Sequence, residues 1–229
     1  MTFNILNMFV PMLIGYLLAS IPSGVWVGQV LFKKDVRTLG SGGSGMTNVL
    51  RNFGKPAAVI VFFMDLVKSI TPVLIASAYA YQWTTLGLND PLLAQISIML
   101  TGFGTSLGHS YPIFAQFKGG KAVSSAGSFF LMSNWIIALI GITIMLTIIK
   151  VKKIVSIGSL TGYLVAVLLT LFLWVPAWSD IGMWNRVESG WLFTLTTFFL
   201  WLFMIYRHKE NIQRLLAGSE LDFKKKSGK

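Results

Sequence analysis

The chain alternates between long apolar runs and short polar segments. The runs cover roughly 7–31, 57–81, 91–111, 134–149, 154–177 and 189–206. Each supplies the ~20 residues, or nearly that, that a helix needs to cross ~30 Å of hydrocarbon. They are too long and too evenly apolar for barrel strands, which would alternate. The pattern predicts an all-α, polytopic membrane protein. Residues 1–7 hold no Lys or Arg, and no small-x-small cleavage site follows the first run, so that run is expected to stay as a helix.

Charge sharpens this picture. Of 19 Lys and Arg, 17 fall in four segments: 33–55, 112–121, 150–153 and from 207 onward. The exceptions are Lys68, inside a run, and Arg186. Basic connections stay on the cytoplasmic side, so segments 112–121 and 150–153 both belong there. An even number of crossings must then separate them, yet residues 122–149 contain one obvious run. The charge pattern therefore predicts a short helix over about 120–132 and a longer one over about 134–150, broken at Ser133–Asn134. Seven helices result, with the N-terminus outside and the C-terminus cytoplasmic. The short helix leaves a thinned place that neighbouring helices must cover. Residues 1–229 read as one integral membrane domain, and the Lys-rich end 224–229 as a disordered tail facing lipid headgroups.

Composition agrees with a lipid solvent: 54% of the 229 residues are hydrophobic and 12% charged. The mean hydropathy is +0.69. A net charge of +11 could indicate nucleic acid, but here the charges sit between apolar runs, so no nucleic-acid partner is expected. There are no cysteines, which excludes disulfides and thiolate chemistry, and no metal-ligand spacing is present. Nothing indicates an obligate protein partner.

Three basic segments carry candidate chemistry. The first packs Gly40, Ser41, Gly42, Gly43, Ser44, Gly45, Thr47 and Asn48 between Arg37 and Arg51. Glycines let backbone amides converge on an anion, and hydroxyls and arginines complete a phosphate cradle. A flexible linker is the plainer reading, but linkers rarely place Thr-Asn-x-x-Arg directly after the glycines. The second segment runs from Gly108-His109 to Lys118-Gly119-Gly120-Lys121, and opens the predicted short helix, whose N-terminal dipole would add to an anion site. A pair of orienting lysines around a turn is its alternative. In the third, Arg207, Asn211 and Arg214 share one face of an extended last helix, which could equally be an amphipathic helix lying on anionic lipid. Within the second run, Asp65 and Lys68 are i, i+3 neighbours, suited to a structural ion pair or to a functional one. Two anion sites on one face suit either an enzyme acting on phosphate esters or a transporter of organic phosphate. No internal repeat of the kind transporters show is visible.

These segments resemble the three cytoplasmic motifs of the bacterial acyl-phosphate-dependent glycerol-3-phosphate acyltransferases. The family's G-S-G-N-x-G-A-T-N-x-x-R is similar to Gly40–Arg51, preceded by a turn like Ser20-Ile21-Pro22-Ser23-Gly24 and followed by one like Asp65-Leu66-Val67-Lys68. G-H-x-x-P-x-F-x-x-F-K-G-G-K-G is similar to Gly108–Ala122, and R-H-x-x-N-I-x-R-L-x-x-G-x-E to Arg207–Glu220. A further serine-containing stretch resembles Val155–Ser159. The chain departs at Gly43, Met46, Ser69 and Ala122, where the family has Asn, Ala, Gly and Gly. The resemblance implies acyl transfer from acyl phosphate to the 1-hydroxyl of sn-glycerol 3-phosphate, giving lysophosphatidic acid and phosphate without a metal, a cofactor or acyl-CoA. It implies that Ser41, Thr47, Asn48 and the amides of Gly40, Gly42 and Gly45 hold the acyl-phosphate head. Arg51, Lys121, Ser156, His208 and Asn211, with Gly119 and Gly120, would hold glycerol phosphate. Glu220 would brace the third motif, and the base would be a substrate phosphate oxygen or His208. The site is expected to face the cytoplasm from the bacterial inner membrane.

The parity of the crossings can be checked in this cysteine-free chain. A cysteine placed at Lys152 should stay unlabelled by an impermeant thiol reagent in intact cells, and one at Trp178 should label. Labelling at 152 but not at 178 rules out the seven-helix arrangement.

Overall fold

A computed structural model describes residues 8–85, 91–174 and 190–222. Trp178, Arg186 and the basic tail 224–229 lie outside them. Among the described residues the regular structure is helical, without strands: α1 Phe9–Ala19, α2 Ser23–Phe32, α3 Met46–Phe53, α4 Lys55–Thr85, α5 Pro91–Ser110, α6 Val123–Ser133, α7 Trp135–Lys152, α8 Val155–Thr170, α9 Gly190–Arg207 and α10 Lys209–Leu216. Four stretches among them are long and apolar enough to cross a bilayer: Phe9–Phe32, Lys55–Gln82, Trp135–Lys152 and Gly190–Arg207.

The first run, read from hydropathy as one helix, is two. Pro22 has no N–H to give to the turn before it, and the chain breaks at Ser20–Pro22 before resuming as α2. The break between α6 and α7 falls where the charge pattern placed it. Asn134 is fully buried, and its Oδ1 accepts the Ile137 N–H at 3.0 Å, which caps α7. Helix α6 has 11 residues, so its length is about 16 Å, half a hydrocarbon layer. It is enclosed by protein: Ala126, Phe129 and Phe130 join a core with Val73 and Ala76 of α4, Ile98 and Met99 of α5, Tyr163 of α8, and Phe193, Leu200 and Met204 of α9. A smaller core of Val27, Val36, Val49, Ala57, Ala58 and Val61 seats α2 and α3 against α4.

Helix α1 lies along α5 at close range, because Gly104 and Gly108 present a side-chain-free stripe. A Cβ at Gly104 would overlap the Met12 carbonyl, and one at Gly108 the Tyr16 carbonyl. Small residues at this four-residue spacing let membrane helices approach backbone to backbone. Gly104→Ala and Gly108→Ala should each lower the melting temperature in detergent, by an overpacking cost of about 1–3 kcal/mol. Gly43→Ala is the control, because a Cβ there meets nothing nearer than Ser41 Oγ at 3.9 Å. Equal melting of all three variants would show that α1 and α5 do not need this contact.

Candidate active site

The glycine-rich segment before α3 is a folded loop. Its organiser is Asn48, on the first turn of α3 and 2% exposed. The Asn48 amide donates to the carbonyls of Val36, Leu39 and Gly43 at 2.8–2.9 Å. Its Oδ1 accepts the Ser41 N–H at 3.0 Å. Gly40 has φ +56° and Gly42 φ +71°, and a Cβ at Gly40 would come within 2.5 Å of Asn48 Oδ1. Both glycines are therefore demanded by the fold of the loop. Asn48 was expected to touch the ligand, but its hydrogen-bonding capacity is spent inside the loop. Gly45 takes an extended conformation that any residue adopts. The hydroxyls of Ser41 and Thr47 have no hydrogen-bond partner among the described residues, beside the N-terminus of α3.

This loop is tied to the second one. Arg37 pairs with Asp35 at 2.7 Å and donates through Nη1 to the Ala115 carbonyl at 2.8 Å. That hydrogen-bonded guanidinium holds the Asp35 carboxyl below its ordinary pKa. The role of Arg37 is absent from the sequence reading, although Asp-x-Arg before the glycines was its available sign.

In the second segment, Gly119 and Gly120 serve packing. A Cβ at Gly119 would overlap the His109 carbonyl, and one at Gly120 the His109 ring. The Gly120 N–H, expected to face an anion, donates to the His109 carbonyl at 3.0 Å. The Gly120 carbonyl accepts from Arg207 Nη2 at 3.0 Å, and the Arg207 guanidinium lies 4.5 Å over the Tyr111 ring. Helix α6 begins after Lys121, and its N-cap Ala122 has φ +61°, a left-handed position the family pattern fills with glycine.

Lys121 leads into the third segment. Its Nζ donates to Asn211 Oδ1 at 2.5 Å. Burial pushes the Lys121 ammonium down to about 8, Arg214 and Arg51 push in the same direction, and Glu220 opposes. The last helix was expected to carry Arg207, Asn211 and Arg214 on one continuous face. It is interrupted at His208, and α10 starts anew at Lys209. His208 Nδ1 lies 2.8 Å from the Met204 carbonyl and must donate there, which leaves Nε2 as the acceptor. Burial lowers its pKa to about 4, against the Met204 hydrogen bond, so the ring is neutral near pH 7.

Glu220 is the point where these parts meet. Its carboxylate accepts from Ser156 Oγ at 2.9 Å, Asn211 Nδ2 at 2.5 Å and Arg214 Nε at 2.8 Å. Burial opposes its ionisation, but the three donors hold it below the ordinary carboxylate range. Arg51, mostly buried, donates through Nη2 to the Leu221 carbonyl at 3.1 Å, and burial lowers its pKa. The structure thus brings Arg51, Lys121, Ser156, Asn211 and His208 into one region around Glu220. Ser41, Thr47, Gly40, Gly42 and Gly45 form the neighbouring loop, linked through α3. Among the described residues, no group of three acids, histidines or cysteines could hold a metal. The arrangement is a cationic, partly buried cluster that can neutralise phosphate.

Comparison with known proteins gives the family. Residues 9–218 fit the family model described as glycerol-3-phosphate acyltransferase. A glycerol-3-phosphate acyltransferase of Enterococcus faecalis is 35% identical over 91% of this chain and 88% of its own. One of Prochlorococcus marinus is 37% identical over 90% and 93%. The fold is similar to crystal structures of PlsY (YgiH), an integral membrane glycerol 3-phosphate acyltransferase. Its glycerol 3-phosphate form gives a TM-score of 0.74 at 34% identity, over 94% of this chain and 95% of that one. Its lysophosphatidic acid form gives 0.72 at 33% over the same shares. The helices, the converging basic segments and these matches identify the chain as a membrane-embedded acyltransferase that belongs to the glycerol-3-phosphate acyltransferase family.

Proposed function

We propose that the chain transfers a fatty acyl group from acyl phosphate to the 1-hydroxyl of sn-glycerol 3-phosphate. The new ester bond forms as the acyl–phosphate C–O bond breaks, giving lysophosphatidic acid and inorganic phosphate. The observation that carries this reading is the convergence of Lys121, Arg51 and Arg214 on one region beside a loop with unpartnered hydroxyls. An acyl phosphate is already activated, so positioning and charge neutralisation are the main tasks left to the protein.

In this reading Ser41, Thr47 and the start of α3 hold the acyl-phosphate head, and the glycines and Asn48 shape that loop. Arg51 and Lys121 carry the phosphate of the acceptor. Ser156 gives its hydroxyl hydrogen to Glu220, and Asn211 gives one amide hydrogen to Glu220 while its oxygen accepts from Lys121. Their part, with Glu220, is to fix Lys121. A neutral His208 with a free acceptor nitrogen suits a group that orients the glycerol hydroxyl, and a pKa near 4 makes it a weak base. The hydroxyl proton then leaves with a substrate phosphate oxygen. The site faces the cytoplasm of a bacterial inner membrane, with seven crossings, the N-terminus outside and the C-terminus inside. Neither acyl-CoA, a cofactor, a metal nor a protein partner enters the scheme.

Purified protein with radiolabelled glycerol 3-phosphate should move label into lipid with acyl phosphate as donor and not with acyl-CoA. The pH profile of kcat/KM for glycerol phosphate reports the free enzyme. Lys121 is charged below about pH 8 and neutral above it, so kcat/KM should fall as pH rises through that value. Lys121→Arg should carry this limb upward past pH 10, because a guanidinium keeps its proton. Equal transfer from acyl-CoA, or a limb that Lys121→Arg leaves in place, contradicts the reading.

A further inference from the structure

Beneath the cytoplasmic rim lies a second polar cluster that has no part in the site described above. Lys68 Nζ pairs with Asp65 Oδ1 at 2.8 Å, one turn away on α4, and both side chains are buried. The same ammonium donates to the Ile21 carbonyl at 2.6 Å, at the break that Pro22 makes between α1 and α2. Pro72 sits four residues after Lys68 inside α4 and withholds the N–H that the Lys68 carbonyl would otherwise receive. On the other side, His109 Nδ1 of α5 lies 3.9 Å from Asp65 Oδ1.

Stability alone is a poor account of this cluster. A buried ion pair gains little or nothing over a well-packed apolar pair. The neighbourhood also holds buried polar atoms without hydrogen-bond partners: Ser23 Oγ two residues from Ile21, Ser69 Oγ beside Lys68, and Ser106 Oγ one turn from His109. His109 Nδ1 is another. Each such group costs free energy.

Geometry gives the cluster a different task. The carbonyl that Lys68 holds fixes the start of α2, whose Gly24 is pressed on the Ser44 carbonyl of the first glycine loop, where a Cβ would overlap it. The His109 beside Asp65 accepts the Gly120 N–H of the second loop through its carbonyl and seats its ring on Gly120. One turn of α4 therefore reaches the supports of both loops. We propose that the Asp65–Lys68 pair is a positioning device that sets the register of the acyl-phosphate loop against the loop carrying Lys121, so that donor and acceptor meet at bonding distance. This rests on the acyl-transfer reading of the two loops.

The test is the apolar double variant Asp65→Leu, Lys68→Met, assayed beside wild type after gel filtration and thermal melting in detergent. It should remain monodisperse and melt no lower than wild type, while KM for glycerol phosphate rises by about tenfold or more and kcat falls, because sub-ångström misplacement of reactants is costly in rate. A merely structural loss would reduce the amount of active protein and leave KM where it was. A double variant with KM and kcat within twofold of wild type overturns the proposal. One that fails to fold also overturns it, since the pair would then serve the fold. Failure of the underlying reading shows separately, as a wild-type protein that does not transfer from acyl phosphate.

Discussion

The site depends on one carboxylate. Arg51 and Arg214 both press on the Lys121 ammonium, and Arg214 on the Arg51 guanidinium, and like charges in such a place repel strongly. Two unit charges about 6 Å apart repel by roughly 3 kcal/mol at an effective dielectric near ~20. Glu220 offsets this by accepting from Asn211, Arg214 and Ser156 at once. It also turns the Asn211 amide so that its oxygen, not its nitrogen, meets Lys121. The ammonium is thereby fixed by one hydrogen bond and keeps two donors for a ligand. Glu220, which ends the third motif just past α10, is thus the brace on which the second motif's lysine stands.

Membrane geometry makes room for that arrangement. Helix α6 is only about half a hydrocarbon layer long, and its buried serines and aromatic residues are covered by α4, α8 and α9. Its start lies beside the loops, so Lys121 sits at the rim with most of its surface removed from water. The lowered pKa of Lys121 and the neutral state of His208 share one cause, burial at a polar edge. Two more interruptions, at Ser20–Pro22 and at His208, let long apolar elements turn into site-bearing ones.

Much of this was legible in the sequence, and the limits are physical. Crossing segments follow from apolar length, and the split at Asn134 follows from charge parity, because both are one-dimensional properties. The glycines at 40 and 42 announced a loop with left-handed residues, which the structure has. Asn48, Gly119 and Gly120 looked like ligand contacts, yet their demands come from the Leu39 carbonyl and from His109, contacts across 9 to 11 residues that no local pattern displays. The convergence on Glu220 is less readable still, since Ser156 lies 64 residues from it. The last helix read as continuous because nothing in Arg207-His208-Lys209 breaks a helix by propensity. The ring of His208 turns back on Met204, and the chain restarts there.

The central claim is that Asn211 acts on the acceptor phosphate through Lys121. Titration calorimetry of sn-glycerol 3-phosphate binding to wild type, Lys121→Met, Asn211→Ala and the double variant tests it directly. If Asn211 serves to aim Lys121, the double variant binds about as weakly as Lys121→Met alone, a coupling of about 1 kcal/mol or more. Losses that add within about 0.3 kcal/mol would mean that the two residues bind phosphate independently, and would contradict the account.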